Sequence, residues 1–308
     1  YLGGYDDLVD QNGYVHPSIN PLGARTGRMS VQNPPLQTLH RDAMVRDAFI
    51  PSEGNRLLFA DYDQMEVRLT AHFIEVLTGD TSFSEVVRNS PDVHKSFASL
   101  VYYQAANMDE LVTGDQRKTI KNAIYAKLYG AGIDKFSATA GIEYYDALSF
   151  MSDFDATFPA IEKMMEVIED AALHRYKEEG LAYVMSPFGR RHPLRDDEIR
   201  GVFTDRRTGR ERLDGKVYVL LNYLVQGTGA DVLKQGIVDA DRAGIADYLV
   251  LLVHDETGWD VSTNEVPEVS RLIKAVMEEH ERFRVPLTTE VVVTERWGDK
   301  YANTRIGN

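Results

Sequence analysis

Residues 57–68 read LLFADYDQMEVR, and the pattern changes in the middle of this stretch. The apolar first part has the composition of a buried strand, and it ends at Asp61. From Met65 onward the apolar residues Met65, Leu69 and Phe73 recur at four-residue spacing, which predicts a helix. The sequence therefore predicts a buried strand that delivers a carboxylate to one edge of a sheet, followed at once by a helix.

A second apolar run, Leu249–Val253, ends at His254-Asp255-Glu256. A lone Asp at a strand end is more often a turn or cap residue than a ligand. Two strands that each deliver an Asp to a sheet edge are, by contrast, typical of a site for two Mg²⁺ ions, which prefer oxygen ligands. We expect such a site, in which Mn²⁺ can replace Mg²⁺. Its predicted ligands are Asp61, the backbone carbonyl of Tyr62, and Asp255, with Glu256 as a supporting carboxylate.

A basic helix is predicted between the two carboxylate strands, over Gln116–Tyr129, with Asp115 as its N-cap and Gly130 as its end. Four of its side chains recur at four-residue spacing and so share one face. A surface helix with basic residues in water would explain this spacing equally well. The functional interpretation is that the basic pair binds triphosphate oxygens, while the first tyrosine stacks near the sugar and base and the second closes the pocket. The four residues are Arg117, Lys121, Tyr125 and Tyr129.

Composition narrows the class of protein. The chain has 308 residues, of which 43% are hydrophobic, so it can bury a sizeable core. No apolar run approaches the roughly 20 residues of a membrane span. The absence of Cys rules out disulfides and fits a reducing cytoplasm. The net charge of -14 argues against nucleic acid at first sight, but residues 117–127 carry four basic and no acidic side chains.

The remaining pattern predicts a mixed helix and strand protein. Residues 1–56 are rich in Gly, Pro and Asn and are predicted to be mostly irregular. The further predicted elements are helices over Val93–Tyr103, Phe154–Glu179, Val217–Ala240 and Pro267–Phe283, a hairpin from Ala182–Met185 and Arg191–Leu194, two strands within Tyr248–Val261, and a last strand over Pro286–Thr294.

Six motifs resemble the polymerase core of the bacterial DNA polymerase I family, family A, and they occur along the chain in the same order as in that family. Residues 61–68 resemble its motif A, RxxxKxxxYxxxYG at residues 117–130 its motif B, and VHDE at residues 253–256 its motif C. The other three are TGRMS with LQ at residues 26–30 and 36–37, DVHK at residues 92–95, and NxxxQGTGAD at residues 222–231. Together they cover nearly the whole chain.

The resemblance implies further roles. Lys121 joins the carboxylates as a catalytic residue, Arg28 reaches the primer-template minor groove, and Glu66 excludes a 2′-hydroxyl by steric hindrance. The implied nucleotide-binding residues are Gln64, Glu66, Arg117, Lys121, Tyr125 and Tyr129. The implied DNA-binding residues are Arg28, Gln37, Arg190, Arg191, Asn222, Gln226 and His254. The alternative for Arg190 and Arg191 is a solvated hairpin tip. The alternative for His254 is a structural hydrogen bond.

Three positions depart from the family pattern. Tyr218 stands where the family usually has Arg, and Leu252 where a Gln is common. Both family residues lie near the primer terminus, so we expect duplex binding and mismatch sensing to differ. Asp63 replaces the common Ser or Thr, which adds a carboxylate near the metals. Only 27 residues precede Arg28, so the thumb and exonuclease-type domains of the family are expected to be missing, as in a fragment or a reduced protein.

The sequence thus predicts an α+β right-hand polymerase core with an antiparallel-sheet palm and helical fingers. The predicted divisions are a first palm part over 1–73, a fingers insertion over 74–195 and a second palm part over 196–308. The expected partners are primer-template DNA and dNTPs, in the cytoplasm of a bacterial or phage-infected cell and without a membrane. The alternatives are a single-subunit RNA polymerase, against which Glu66 argues, and a non-catalytic fragment that binds primer-template.

Overall fold

The computed structural model describes residues 6–39, 43–278 and 280–300. The chain divides into two compact units. The first comprises Tyr1–Met65, Gly229–Glu281 and Leu287–Asn308, and the second comprises Glu66–Thr228 and Arg282–Pro286. The described helices are α1 Ala43–Arg46, α2 Met65–Thr78, α3 Ser82–Asn89, α4 Val93–Tyr103, α5 Gly114–Tyr129, α6 Ile133–Ala140, α7 Tyr144–Thr157, α8 Pro159–Glu179, α9 Val219–Arg242 and α10 Val266–Glu278.

The described strands form one larger sheet and three two-stranded pairs. They are β1 Ser18–Asn20, β2 Ser30–Gln32, β3 Asn55–Tyr62, β4 Tyr183–Met185, β5 Arg191–Pro193, β6 Ile199–Thr204, β7 Glu211–Gly215, β8 Leu249–Val253, β9 Glu256–Ser262 and β10 Thr289–Thr294. The larger sheet has the order β10-β3-β9-β8, and every neighbouring pair is antiparallel. The predicted α+β class with an antiparallel sheet is confirmed.

The core of the first unit fixes strand β3. Phe59 and Trp297 are both about 1% exposed, and their rings stack with centroids 6.4 Å apart. The guanidinium of Arg46 lies 4.5 Å from the centre of the Trp297 ring. Burying side chains of this size contributes about 2 to 3 kcal/mol each. The strand that carries Asp61 is therefore anchored by its own apolar residues.

The second unit is mainly helical and packs around aromatic side chains. The Phe97 ring lies 4.3 Å from that of Phe83 and 5.1 Å from that of Phe158, measured between centroids. Helix α5 buries the apolar stripe of Ile120, Ile124 and Leu128, as its spacing predicts. The opposite face of this helix is thereby left accessible.

The helix predicted over Phe154–Glu179 is two helices in the structure. Helix α7 ends at Thr157, and α8 begins at Pro159 in the first helical position. A Pro cannot donate the backbone hydrogen bond that a helix interior requires, but it fits the first turn. The apolar spacing runs through this break, which explains why the pattern alone predicted one helix.

The N-cap predicted for α5 is also wrong. Thr113, not Asp115, caps the helix: its hydroxyl accepts a bond from the N–H of Gln116 at 3.2 Å. The Gln116 side chain accepts the Thr113 N–H at 2.9 Å, which completes a capping box. Gly130 ends the helix as predicted, in the left-handed region with φ of 61°.

Several element boundaries and one hairpin differ from the prediction. The last strand, for example, begins at Thr289 and not at Pro286. The helix expected to reach Phe283 ends at Glu278, because the stripe of Val269, Ile273 and Met277 has no apolar residue to continue it; Glu279 lies outside the described residues. Helix α9 begins two residues later than predicted. The hairpin of β6 and β7 was not predicted, because its strands are mostly polar and exposed.

Candidate active site

Strand β3 presents Asp61 at its end. The four residues before it are buried, whereas the Asp61 side chain is 49% exposed. The backbone N–H of Asp63 donates to the carbonyl of Thr288 at 2.8 Å, which fixes the chain as it leaves the strand. Gln64 then adopts a positive φ of 50° directly before α2 begins at Met65. The strand and the helix predicted from residues 57–68 are present, and the turn between them leaves the carboxylate open to solvent.

Asp255 lies in the two-residue turn between β8 and β9. Val253 and Glu256 are opposed across the hairpin, so the turn consists of His254 and Asp255 alone. His254 has a φ of 56°, in the left-handed region, which costs a non-Gly residue about 1 to 3 kcal/mol. Such strained turns concentrate at functional sites, and this one positions the second predicted carboxylate.

Basic side chains are paired with these carboxylates. The guanidinium of Arg28 lies 3.2 and 3.4 Å from the two carboxylate oxygens of Asp255. The Lys300 ammonium donates to Glu256 and also lies 3.6 Å from Asp61. Sequence reasoning missed Lys300, because no motif includes it and 37 residues lie between it and Ser262 at the end of β9.

Burial is the main cause that raises the pKa of Glu256. The neighbouring charge of Lys300 opposes this shift, and that of Asp61 adds to it. Burial also raises the pKa of the Tyr62 hydroxyl, with a further contribution from Asp255. The phenol of Tyr62 therefore stays protonated, which leaves its backbone carbonyl as the group suited to a cation.

The oxygen atoms available at this edge fit magnesium. Asp61, Asp255 and the Tyr62 carbonyl are all hard ligands. Across the described ranges, no three His, Asp or Glu side chains are grouped as a complete metal cage. Mg²⁺ is commonly held by one or two carboxylates while phosphates and water supply its other ligands, so this incomplete set suits a nucleotide-bound ion.

In the second unit, helix α5 presents the predicted polar face. Arg117 is partly buried, and its Nε donates to Asp92 at 2.8 Å, a contact that was not predicted. Lys121 is exposed, and Tyr125 and Tyr129 stack with centroids 5.9 Å apart. The face is therefore partly ordered by its own neighbours while Lys121 stays open to an anion.

Asp92 does two things for this region. It caps α4 by accepting the N–H of Lys95 at 3.2 Å, and it accepts the bond from Arg117. Burial alone would raise the pKa of Asp92, but these two bonds and the Arg117 charge outweigh burial and lower it. Its carboxylate thus stays ionised and holds Arg117 in place.

Three predicted site residues meet at one point of the second unit. The Tyr129 hydroxyl lies 2.8 Å from both carboxylate oxygens of Glu66. The Gln226 amide donates to that hydroxyl at 3.0 Å and lies 3.4 Å from Glu66. The sequence assigned these residues separate roles, and the structure joins them in one hydrogen-bonded group.

The other residues predicted to bind DNA are spread over both units. In the first unit, Gln37 donates to the backbone carbonyl of Met29 at 3.2 Å, and His254 is exposed. Asn222 is half-buried on α9, a helix whose neighbouring residues are mostly buried. Its accessibility is what a contact to a duplex would require.

The arginine pair of the second unit sits in the hairpin of β4 and β5. Arg191 lies 3.4 Å from Glu179 and 4.8 Å above the Tyr183 ring, and its side chain is 58% exposed. The backbone N–H of Arg190 lies 3.3 Å from the hydroxyl of Ser186 within the turn. A role in DNA binding for these two residues stays a prediction.

Tyr218 occupies one of the positions that depart from the family pattern. A Cβ atom placed on Gly130 would lie 2.3 Å from a ring carbon of Tyr218, far inside van der Waals contact. The tyrosine ring therefore covers the glycine that ends α5. Here an aromatic contact within the protein stands where the family usually has a charged side chain.

Comparisons with known proteins show the family of this chain. The family model described as DNA polymerase family A matches residues 1–299. DNA polymerase I of Chloroflexus aurantiacus is 31% identical over 97% of this chain, and the thermostable DNA polymerase I of Thermus filiformis is 32% identical over 96%. The chain spans 30% and 34% of those two proteins, about a third of the length of the curated relatives.

A solved structure is also similar. It is the POL domain of Pol1 from M. smegmatis in complex with DNA primer-template and dNTP. The TM-score is 0.79 and the sequence identity 26%, over 96% of this chain and 50% of that one. Separately, each helix in the described part of the chain is too short or too polar to cross a membrane.

Proposed function

Because this chain belongs to DNA polymerase family A, we propose that it is the catalytic part of a template-directed DNA polymerase that adds dNTPs to a primer 3′-hydroxyl. The observation that carries the proposal is the pair of strand-end carboxylates in one antiparallel sheet. Asp61 is directly opposite Glu256, and Asp255 precedes Glu256 in the hairpin turn. Carboxylates so placed are suited to phosphoryl transfer with bound cations.

Each predicted residue has a defined task in this reaction. The primer 3′-hydroxyl loses its proton to water as its oxygen bonds to the α-phosphorus of the dNTP, the bond from that phosphorus to the bridging oxygen breaks, and pyrophosphate leaves. Two Mg²⁺ ions held by Asp61, Asp255 and the Tyr62 carbonyl would supply charge neutralisation and an activated hydroxyl. Arg117 and Lys121 orient the triphosphate by charge-assisted hydrogen bonds.

We assign the discrimination between deoxyribose and ribose to Glu66. Its carboxylate is held by the Tyr129 hydroxyl and the Gln226 amide, which fixes it in one position. A fixed carboxylate beside the sugar's C2′ excludes a 2′-hydroxyl by steric hindrance and by its charge. This favours a DNA polymerase over an RNA polymerase with the same basic helix.

Binding of primer-template is assigned to local groups, because the net charge of -14 cannot attract DNA as a whole. The proposed contacts are Arg28, Gln37, Arg190, Arg191, Asn222, Gln226 and His254. Affinity should fall as salt rises, with a slope set by the phosphates neutralised.

The similar structure with primer-template and dNTP supports these partners, and the relatives of bacterial origin support a cytoplasmic location. We also propose that thumb and exonuclease domains belong to a longer protein, and that residues 1–73 and 196–308 form the palm and 74–195 the fingers.

A primer-extension assay with Mg²⁺ tests the proposal and its rivals. A labelled primer-template is incubated with the chain and either dNTPs or rNTPs. Templated extension with dNTPs and little with rNTPs is the expected result. Preferential use of rNTPs would replace the proposal by an RNA polymerase, and duplex binding with no extension would leave a non-catalytic binding fragment.

A further inference from the structure

A row of carboxylates crosses the larger sheet. Asp61 on β3 is directly opposite Glu256 on β9 and, on its other side, Glu290 on β10. Directly opposed side chains of an antiparallel sheet share a face about 5 Å apart, and like charges there destabilise the pair. Asp255 adds a fourth carboxylate next to Glu256 in the chain. Such a row requires positive charge close by.

Lys300 supplies positive charge to this row. Its ammonium donates to the Glu256 carboxylate and lies 3.6 Å from Asp61. The Lys300 side chain is 12% exposed and that of Glu256 is 8% exposed, so water screens their attraction only weakly. Arg28 is paired with Asp255 instead. Lys300 thus touches the two opposed carboxylates of the row at once.

Packing in the core of the first unit places Lys300 beside these carboxylates. Residues 297–300 form one helical turn after β10, and the backbone N–H of Trp297 donates to the carbonyl of Phe49 at 3.0 Å. Trp297 packs on Phe59, and the Lys300 ammonium lies 5.8 Å from the centre of that same Phe59 ring. The lysine is therefore fixed through an aromatic anchor and does not reach the site from a mobile surface.

We propose that Lys300 is a positioning residue that keeps Glu256 from acting as a third metal ligand. The inference rests on the proposed function, in which Asp61 and Asp255 hold the metal ions. A carboxylate that accepts a bond from an ammonium has fewer lone pairs for a cation, and the ammonium charge repels a cation near Asp61. Lys300 therefore limits the affinity of the site for divalent cations and keeps two carboxylates as its ligands.

The test measures Mn²⁺ binding to the protein without DNA, by electron paramagnetic resonance of free Mn²⁺. Lys300→Met keeps the side-chain length but removes the charge, and it should bind Mn²⁺ about tenfold more tightly. A merely structural lysine would leave affinity unchanged or weaken it. Lys177 on α8 forms an exposed pair with Glu211, and Lys177→Met, which removes one charge from that pair, should match the wild type.

A double variant tests whether the tighter Mn²⁺ binding comes from Glu256 or from Asp61. Lys300→Met combined with Glu256→Gln should return to within about twofold of wild-type affinity, because the released carboxylate is gone. Tightening that persists in the double variant would overturn the role of Glu256, and unchanged binding in Lys300→Met would overturn the proposal. If Lys300→Met does not fold, Lys300→Leu removes the same charge and the same donor, with the same expected tightening.

The proposed function can fail separately. Asp255→Ala is titrated with Mn²⁺ in parallel with the wild type. If Asp255→Ala binds Mn²⁺ as tightly as the wild type does, the metal assignment itself is wrong. If Asp255→Ala weakens binding while Lys300→Met changes nothing, the metal assignment stands and only the role of Lys300 is rejected.

Discussion

The hydroxyl of Tyr129 lies 2.8 Å from each carboxylate oxygen of Glu66, so the last residue of α5 holds the second residue of α2. Gln226 on α9 donates to the same hydroxyl at 3.0 Å. Three helices thus contribute to one hydrogen-bonded group. A carboxylate fixed from two sides can exclude a substrate hydroxyl, because it cannot swing away without losing these bonds.

Sugar discrimination should depend on this carboxylate. Glu66→Ala is expected to raise the rNTP/dNTP ratio of incorporation efficiency by at least about tenfold, because the obstruction beside C2′ is removed. Tyr129→Phe keeps the ring but loses the bond to Glu66, and it should raise the ratio less. Single-nucleotide incorporation kinetics measure both. An unchanged ratio in Glu66→Ala would remove Glu66 from this role.

Chain terminators should report on Tyr125. A dideoxynucleotide lacks the 3′-hydroxyl and leaves a polar contact unmade, and the phenol of Tyr125 can supply the missing partner. We expect weak discrimination against dideoxynucleotides, and about tenfold stronger discrimination after Tyr125→Phe, which corresponds to an unmade hydrogen bond. The ratio of dNTP to ddNTP incorporation efficiency measures this.

The control for that experiment is Tyr144→Phe, which removes a phenol from an exposed tyrosine at the start of α7. It should leave the ratio unchanged. Strong rejection of dideoxynucleotides by the unmutated chain, or no change in Tyr125→Phe, would show that Tyr125 does not face the sugar.

The bond between Asp92 and Arg117 predicts a dependence of stability on pH. Asp92→Asn keeps a side chain that caps α4 but loses the charge, and it should lower the free energy of unfolding by about 0.5 kcal/mol, since solvent screens the pair. The folded-state pKa of Asp92 is lowered below its ordinary value of 3.8. The difference from wild type should therefore be complete above that value and vanish as pH falls through the folded pKa.

Urea unfolding at a series of pH values measures this difference. Arg117→Gln should show the same loss at neutral pH, because it removes the other half of the pair. A difference between wild type and Asp92→Asn that grows as the pH is lowered would have the wrong sign and would contradict the assignment.

Tyr218 should make Gly130 unusually intolerant of a side chain. Gly130→Ala introduces a methyl group that would meet the tyrosine ring at 2.3 Å, in addition to the backbone cost of about 1 kcal/mol at positive φ. Gly141 ends α6 with a φ of 72° and has nothing within 4 Å, so Gly141→Ala carries the backbone cost alone. Gly130→Ala is therefore expected to destabilise the protein more than Gly141→Ala does.

A double-mutant cycle isolates the contact. Adding Tyr218→Ala to Gly130→Ala should recover most of the excess loss in unfolding free energy, because the clash is removed. Additive losses for the two substitutions would mean that the ring does not cover the glycine in solution.

Much of the architecture could be predicted because it depends on local pattern. The apolar run before Asp61 and the run before His254 each end at a polar residue, and strands bounded in this way are read directly from sequence. Gly130 was recognised as a helix end because few other residues adopt a positive φ without strain. These features need no knowledge of distant contacts.

The errors came where two local interpretations compete. Thr113 and Asp115 are both good N-caps, and only the reciprocal bonds with Gln116 decide between them. The apolar spacing continues across Pro159, so the break at Phe158 is not visible in periodicity. Each outcome depends on packing and hydrogen bonds that the local pattern does not contain.

Contacts between distant segments were the least predictable part of the site. Arg28 and Asp255 are 227 positions apart, and their ion pair has no sequence signature. Lys300 lies 3.6 Å from Asp61 on a helical turn whose Trp297 packs on Phe59, and this contact has no sequence signature either. The motifs predict the site residues, but the charges that balance the carboxylates follow from tertiary packing.

Primer extension by Asp255→Ala is the most direct test of the proposed catalysis. The single-turnover rate of dNTP addition with Mg²⁺ is compared with that of the wild type on saturating primer-template, after circular dichroism has shown equal folding. The rate is expected to fall by at least about 1,000-fold while the affinity for primer-template changes little, because the lost carboxylate stabilises charge in the reaction and not the duplex. Extension at a near-normal rate would contradict the assignment of Asp255 to a metal-dependent polymerase site.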